Sequence, residues 1–436
     1  MIQKPKGTYD VYGREGQTIL YIENVLRALM DRYNYEYVRT PHFEASELFH
    51  RAVGETTDIV TKETYDFLDR GERKMTLRPE GTAGVIRSFI ENKLYARDVM
   101  PVKTWYYGPM YRYERPQAGR FREFYQFGVE VFGSPDAMAD AEVISIPVNL
   151  YKILGLKGIK VNINSLGDTE SREKYREALI KHFEPHLDVL CEDCKERFKK
   201  NPLRILDCKV DHDLDIMKDA PKTIDYLNEA SKKHFEEVQS YLKAMNIDYS
   251  INPSIVRGLD YYTHTVFEVE ASVEGFGSQN VLCGGGRYNN LVNTIGGIDA
   301  PGVGFALGME RLVTALDYEH IELCHEELDV YVIPFEDTKK EALSLVQELR
   351  LSGFKVDTDY MNKNIKANFK QADKKNATFI IILGSDEVKQ NLFTVKNNHT
   401  KKEYKVKGEE LIDFLDEAFE EECTCGKCGE HHEEME

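Results

Sequence analysis

Residues 104–133, TWYYGPMYRYERPQAGRFREFYQFGVEVFG, set the reading of the rest of the chain. An aromatic arm over 105–113 alternates with period two, a polar tip carries Pro116 and Gly119, and a second alternating arm fills 121–132. Period-two spacing broken by proline and glycine predicts two antiparallel strands joined as a hairpin. Arg112, Arg115, Arg120 and Arg122 crowd the tip, and Glu114, Glu123 and Glu130 balance them only in part. A guanidinium fork matches phosphate oxygens. The tip therefore reads as a polyphosphate-binding element, against the plainer alternative of a solvated basic turn.

Upstream, Ile22, Val25, Leu26, Leu29 and Tyr33 recur at helical spacing within 14–33, which predicts an amphipathic helix. A strand over 35–39 stops at Thr40-Pro41, because proline cannot donate into a ladder. TLRPEGTAGVIRSFI (76–90) reads as a short strand, a turn and a helix starting near Thr82. Downstream, a helix is expected over 137–154 and a strand over 159–166. Residues 168–247 change texture to long charged helical segments and read as an insertion. Strands are expected again over 250–270 and 280–283, followed by CGGGRY as a glycine-rich turn. GVGFALGMERLVTAL (302–316) reads as a strand running into a helix. Past 326, DVYVIPF, EALSLVQELRLSG, FKVDTDY, NIKANFKQADKKNA and TFIIILG alternate strand and helix, an α/β domain over 326–420. The acidic stretch 421–436, rich in cysteine and histidine, is expected to be disordered.

A chain of 436 residues exceeds one ordinary core, so two or three domains are expected. Hydrophobic residues at 42% and charged ones at 30% are those of a globular protein. No apolar run reaches the roughly 20 residues of a membrane span, and MIQKPKGTYDVYG lacks the apolar core of a secretion signal. We expect no membrane partner and a cytoplasmic location. Eight cysteines in so long a chain argue against a disulfide framework. The net charge of −18 is unevenly spread: residues 409–436 carry 12 acidic side chains against one lysine, whereas 355–407 carry 12 lysines against six acids. Nucleic-acid binding responds to local charge, so the acidic total does not exclude an RNA partner.

Three arginines stand beside glycines that permit close backbone approach: Arg112 on the hairpin, Arg257 in SIVRGLDYYT and Arg311 in FALGMERL. Glycine-rich phosphate loops are absent, since CGGGRY continues as NNLV rather than GK[ST]. A nucleotide would here be held by arginines and metal. Cys191, Cys194, Cys208 and His212 form a CxxC…C…H arrangement that suits zinc, with ordinary buried thiols as the alternative. Cys423, Cys425, Cys428, His431 and His432 in the tail lack any surrounding structure to orient them, and adventitious metal binding is the expectation there.

The hairpin with its YRYERPQ…GRFREF tip, the strand stopped by Pro41 after a long helix, and GVGFALGMERL resemble motifs two, one and three of the class II aminoacyl-tRNA synthetases. TLRPEGTA, VRGLDYYT and GGGRY, in that order, resemble the histidyl-tRNA synthetases in particular. The resemblance runs from KPKGTYD to about residue 420. It implies an α+β catalytic domain over 1–325, built on an antiparallel sheet with helices and interrupted by the helical insertion. It also implies that 326–420 is an anticodon-binding α/β domain.

The activity so implied is condensation of L-histidine with ATP to histidyl-adenylate and pyrophosphate, then transfer to the terminal adenosine of tRNA(His). By the same resemblance Arg112 grips the α-phosphate and the carboxylate, with Arg257 opposite. Arg311 covers the adenine and reaches the γ-phosphate, Phe124 stacks on the other adenine face, Arg120 joins the ATP site, and Mg²⁺ rides on the phosphates. For histidine, Glu80, Gly81, Thr82 and Gln126 match the α-ammonium site; Glu130 and Tyr262 match the two imidazole nitrogens, and Tyr261 and Tyr288 the pocket wall. Glu80 has a competing reading as an acidic residue at a helix N-terminus. Arg115 and Gln117 match positions facing the extra guanosine of the acceptor end, where an arginine–guanine fork discriminates by about 1–3 kcal/mol. Pro41 and the helix before it match a dimer-forming element, so a homodimer is expected. A site that hydrogen-bonds its substrate's polar groups needs no editing domain. Asn289-Asn290 departs from the pattern, which has aspartate first. The alternative, a non-catalytic histidine-sensing paralogue, is disfavoured by the presence of Arg257 and the C-terminal domain. Glu130 and Tyr262 disfavour a synthetase for another amino acid.

Overall fold

The computed structural model describes residues 2–54, 57, 59–115, 119–206, 208, 210–255, 261–273, 280–321, 323 and 328–423. The chain forms two units, Met1–Leu323 and Cys324–Glu436. In chain order the strands of the first are β1 Glu36–Tyr37, β2 Phe43–Ala45, β3 Tyr65–Leu68, β4 Lys74–Leu77, β5 Val102–Tyr111, β6 Glu123–Phe132, β7 Ile159–Ser165, β8 Tyr249–Ile251, β9 Thr263–Ala271, β10 Val281–Arg287 and β11 Gly302–Gly308. Eight of them make one sheet in the order β1-β5-β6-β11-β10-β9-β7-β8, while β2-β4-β3 form a separate small sheet. The inner strands pair antiparallel, as expected, but the edge pairs β1–β5 and β7–β8 are parallel.

The alternation first noticed in 104–133 gives this sheet its two faces. Trp105 on β5, Phe127, Val129 and Val131 on β6, and Val303, Phe305 and Leu307 on β11 enter the main core. There they meet the helices Gly13–Tyr33, Ala137–Ile153 and Met309–Tyr318. The intervening residues, Tyr106, Met110 and Phe132 among them, face a second cluster with the helix Thr82–Glu91, Tyr262 and Tyr288. Side chains on a strand alternate between faces, so one pattern supplies both a packed side and a side available for chemistry.

CGGGR, expected as a turn, is instead a buried strand. The glycines are required by close packing rather than by chain reversal. A Cβ on Gly285 would overlap the Gly304 carbonyl, and one on Gly286 would lie 2.5 Å from the Thr265 carbonyl oxygen. The strand before Pro41 is also shorter than expected, at two residues.

Between β7 and β8 the described residues form helices and turns without a strand. The longer helices are Thr169–Phe183, Glu192–Lys200 and Glu229–Ala244. Tyr175, Leu179, Phe183, Leu190, Cys194, Leu203, Ile205 and Cys208 make a small core of their own.

The second unit contains β12 Leu328–Pro334, β13 Val356–Thr358, β14 Ala377–Leu383, β15 Leu392–Asn397 and β16 Glu403–Lys407, in the order β13-β12-β14-β15-β16. The first three are parallel and linked by helices Lys339–Leu351 and Ile365–Lys374, as the alternating pattern implied. β15 and β16 add an antiparallel extension that the sequence reading did not resolve. They hide because lysines interrupt their apolar alternation. The last helix, Leu411–Cys423, continues beyond residue 420, and the remaining tail lies outside the described residues.

Candidate active site

β6 is the floor of the site. Phe124, Gln126, Gly128 and Glu130 recur every second residue and share the face opposite the main core. Neighbouring strands meet this row with little side-chain bulk: Gly304 pairs with Glu130, Ala306 with Gly128 and Gly308 with Gln126. A Cβ on Gly304 would occupy the position of the Glu130 carboxylate, and one on Gly128 would overlap the Tyr106 phenol. Small residues thus hollow out one face of an otherwise close-packed sheet.

Glu130, 1% exposed, is the deepest charged group on that face. Thr82 Oγ1 donates to its Oε1 at 2.6 Å, and the Tyr288 hydroxyl donates to its Oε2. Burial pushes its pKa up to about 8, against the lowering effect of those two donors and with the neighbouring Glu80 adding to the rise. The group is therefore a carboxyl poised near neutrality, with hydroxyls but, among the described residues, no arginine or lysine to stabilise its charge.

Glu80 lies beside it. Its carboxylate accepts from the backbone N–H of Thr82 at 2.7 Å and of Ala83 at 2.9 Å, capping the helix Thr82–Glu91. The helix-terminus reading of Glu80 is thus realised. Burial raises its proton affinity although two backbone N–H groups and Arg112 oppose the rise. Gly81, between Glu80 and Thr82, packs so closely against the Tyr106 ring that no Cβ fits.

Arg112 reaches the same corner from the end of the hairpin. Its Nε donates to the Pro79 carbonyl at 2.8 Å, and its guanidinium lies 5.2 Å from the centre of the Phe124 ring. Buried Arg78, which the sequence reading passed over, prepares this geometry. It donates to the Pro109 carbonyl at 2.8 Å and the Thr40 carbonyl at 3.1 Å, tying the RPEG segment to β5 and to the chain before Pro41. Arg112 and Arg120 flank Glu114 at 3.9 and 3.4 Å, long ion pairs that an anionic ligand can displace. Arg122 is engaged otherwise, over the Tyr113 ring at 3.9 Å. Arg115 is exposed at the tip.

Tyr261 and Tyr262 meet at a tilt with ring centres 4.6 Å apart, and Tyr261 meets Tyr288 edge-on at 5.7 Å. Tyr261 is half-buried, with the fields of Glu80 and Glu130 both acting on its phenol. Tyr106, a further residue of this pocket, was missed because its period-two position alone does not separate it from a core aromatic. Its hydroxyl and Gln126 Oε1 are buried without a well-formed hydrogen bond among the described residues. Arg311 begins the helix after Gly308 and donates to the Val281 carbonyl at 3.0 Å. Arg257 and Gln117, both singled out above, lie outside the described residues.

Asn289, where aspartate was expected, serves a structural arginine. Arg287 is completely buried, donates through Nε to both oxygens of Asp140 at 3.1 Å, and reaches Asn289 Oδ1 at 3.4 Å and the Ser134 and Asp136 carbonyls. The cysteine prediction needs correction at its fourth member. Cys191, Cys194 and Cys208 do converge, but the residue completing the group is Asp211, while His212 points to Asp213 and is largely exposed.

A family model described as "Histidyl-tRNA synthetase" matches residues 7–312, and one described as "Anticodon binding domain" matches 329–418. The chain is 52% identical over 406 residues to "Histidine--tRNA ligase" of Anoxybacillus flavithermus, covering 93% of this chain and 96% of that protein. It is 51% identical over 417 residues to the protein of the same description from a Geobacillus strain, covering 95% and 99%. The crystal structure of apo S. aureus histidyl-tRNA synthetase matches with a TM-score of 0.82 at 41% identity, over 95% of this chain and all of that one, 100%.

Proposed function

The chain belongs to the histidyl-tRNA synthetase family, and from that premise we propose how its own residues divide the work. The reaction is histidine–tRNA ligation: an ATP-dependent aminoacyl-tRNA synthetase couples L-histidine to tRNA(His). A histidine carboxylate oxygen attacks the α-phosphorus of ATP and pyrophosphate leaves. The terminal ribose hydroxyl then attacks the acyl carbon of the adenylate and AMP leaves. Neither step demands a strong acid or base from the protein as much as neutralised oxygens and a fixed in-line approach.

The pocket's composition supports histidine as the occupant. Two enclosed carboxyls, Glu80 and Glu130, both disfavour their charged forms, and Arg112 acts on Glu80. Such a site gains most from a ligand that brings a positive charge and additional N–H donors. In our assignment Glu80, Thr82 and Gln126 receive the α-ammonium, with Gly81 leaving room for the Tyr106 ring. Glu130 accepts an imidazole N–H, Tyr262 takes the other ring nitrogen, and Tyr261 and Tyr288 wall the ring. Tyr106, with its buried and incompletely satisfied hydroxyl, joins this set.

Arg112 is anchored by Nε, which frees its two terminal nitrogens for the histidine carboxylate and the α-phosphate; Arg257 approaches from the opposite side. Arg120 and Arg311 hold the outer phosphates, and Phe124 and Arg311 enclose the adenine. Mg²⁺ enters with ATP as part of the substrate complex and screens charge that these arginines leave uncompensated. Arg115 and Gln117 face the tRNA acceptor end. The lysine-rich second unit carries phosphate contacts to the anticodon arm.

We also assign a homodimer and a cytoplasmic site of action. Exposed Tyr37, Phe43, Phe67 and Leu68, flanking Pro41 on β1 and the small sheet, support the first as an apolar surface fit for a second copy. No described helix is long and apolar enough to cross a membrane.

The observation that carries the histidine assignment is Glu130, enclosed between Thr82 and Tyr288 without a cation among the described residues. ATP–pyrophosphate exchange with each amino acid in turn tests it: histidine alone should sustain exchange, and comparable exchange with another amino acid would overturn the pocket reading. Arg257→Ala should lower adenylate formation far more than histidine affinity, and equal losses would reduce it to a binding residue. Gln117→Ala should spare adenylate formation and impair transfer. Unchanged aminoacylation would remove it from the acceptor contact.

A further inference from the structure

The helical insertion contains a second cluster that ligation of histidine does not use. The sulfurs of Cys191, Cys194 and Cys208 and a carboxylate oxygen of Asp211 all lie within 4.8 Å of one another. Their spacing is C-x2-C-x13-C-x2-D, two short loops of equal length that bring four ligands together from opposite sides. Paired x2 loops of this kind are a zinc-site pattern when all four members are ligands. Aspartate in the last place disguises the pattern and makes the adjoining His212 look like the fourth member.

The local geometry supports a tetrahedral ion. Zinc–thiolate bonds of about 2.3 Å place tetrahedral sulfurs about 3.8 Å apart, and Cys191 Sγ lies 3.8 Å from Cys208 Sγ. Backbone groups already orient the ligands. The Cys191 N–H donates to Asp211 Oδ2 at 3.0 Å, and the Asp211 N–H donates to Cys208 Sγ at 3.4 Å. Such outer contacts fix a ligand's direction and tune its basicity.

Thiols donating to the carboxylate offer a metal-free account of the cluster. That account leaves Asp211, 5% exposed, as a buried anion with no lysine or arginine paired to it among the described residues. It also leaves the insertion to be held by a small core, eight buried side chains with partly buried neighbours, beside a strongly charged helix. Small cores commonly depend on a covalent or metal cross-link.

We propose that Cys191, Cys194, Cys208 and Asp211 bind one structural Zn²⁺ that cross-links the insertion. Binding exchanges three S–H bonds for three Zn–S bonds and releases three protons; no oxidation is involved. All four positions are filled by protein, so the ion has no open site for catalysis.

The test uses the full chain with Cys423, Cys425 and Cys428 replaced by serine, which removes the tail's thiols as competing ligands. Purified from zinc-supplemented culture, it should hold about one zinc per chain by elemental mass spectrometry. Cys194→Ser should lose the metal, whereas His212→Ala should keep it. Asp211→Asn, close in shape, should weaken retention against a chelator by at least about tenfold. Replacement by Co²⁺ should give a thiolate-to-metal charge-transfer band that Cys194→Ser abolishes. Absence of stoichiometric zinc from the tail-substituted parent would overturn the proposal, whatever the variants do. A Cys191–Cys208 disulfide in the purified chain, or full zinc retention by Cys194→Ser, would also overturn it.

Discussion

Asp140 and Glu130 are both carboxylates sealed inside the first unit, 0% and 1% exposed, yet their surroundings drive them to opposite states. Burial disfavours the anion at Asp140, but the two-pronged contact with Arg287 and the neighbouring His234 outweigh it and hold the group down at about 2. Among the described residues Glu130 has hydroxyl donors alone, and burial carries it up to about 8. The difference separates a finished interaction from an unfinished one. Asp140 is a structural ion pair that locks the N-terminal end of Ala137–Ile153 to the end of β10. Glu130, in the assignment proposed above, is an acceptor whose charge-stabilising partner is the substrate.

The largest expected effect tests the finished pair. Asp140→Ala leaves Arg287 as a buried cation and should cost about 3–5 kcal/mol in denaturant unfolding. A loss below about 1 kcal/mol, the scale of an exposed pair, would show that the pair is not structural. Glu130→Gln should behave in the reverse manner. Its kcat/KM for histidine should fall by roughly 10²–10³ through loss of charge stabilisation, with folding stability near neutral pH preserved. A stability loss matching that of Asp140→Ala would erase the distinction.

Acidity sharpens the comparison further, because the two carboxyls tilt stability in opposite senses. Glu130 binds its proton more tightly folded than unfolded, so its contribution is complete below its ordinary value of 4.5 and is lost as pH rises towards 8. The stability of the ligand-free chain should thus fall across that interval, and Glu130→Gln should remove this component. Asp140 binds its proton more weakly when folded. Its contribution is complete above 3.8 and disappears as pH falls through about 2. A Glu130→Gln profile identical to the parent's would place the titrating group elsewhere. The smallest effect is Tyr288→Phe, which removes one hydrogen bond to Glu130, worth about 1–1.5 kcal/mol. It should lower histidine kcat/KM about tenfold and raise the Glu130 pKa further. A variant with unchanged histidine kinetics would make Tyr288 a wall residue only.

Much of this site was legible before the fold. Period-two spacing put Phe124, Gln126, Gly128 and Glu130 on one face of one strand, and RPEGT announced a turn entering a helix. Tyr106 escaped because an aromatic on an alternating strand belongs to either face until the cross-strand partner is known; pairing with Gly128 decides it. The triple glycine was misread for a related reason. Glycine marks both chain reversal and close approach, and only the nearness of Gly304 and Thr265 selects the second. Asp211 was passed over for His212 since adjacent residues in an irregular segment point in unrelated directions, which local spacing does not encode. β15 and β16 were obscured by their lysines.

The sequence by itself determined the hairpin, its basic tip, the helical character of the insertion, the α/β order of the second unit and the family resemblance. All of these follow from local periodicity or from short ordered motifs. The tertiary structure decided which buried groups have partners. It gave Asp140 an arginine 147 positions away in the chain and left Glu130 with Thr82 and Tyr288, 48 and 158 positions away. Charge state inside a protein depends on the distance and kind of neighbouring groups, and those neighbours exist only after the chain has folded.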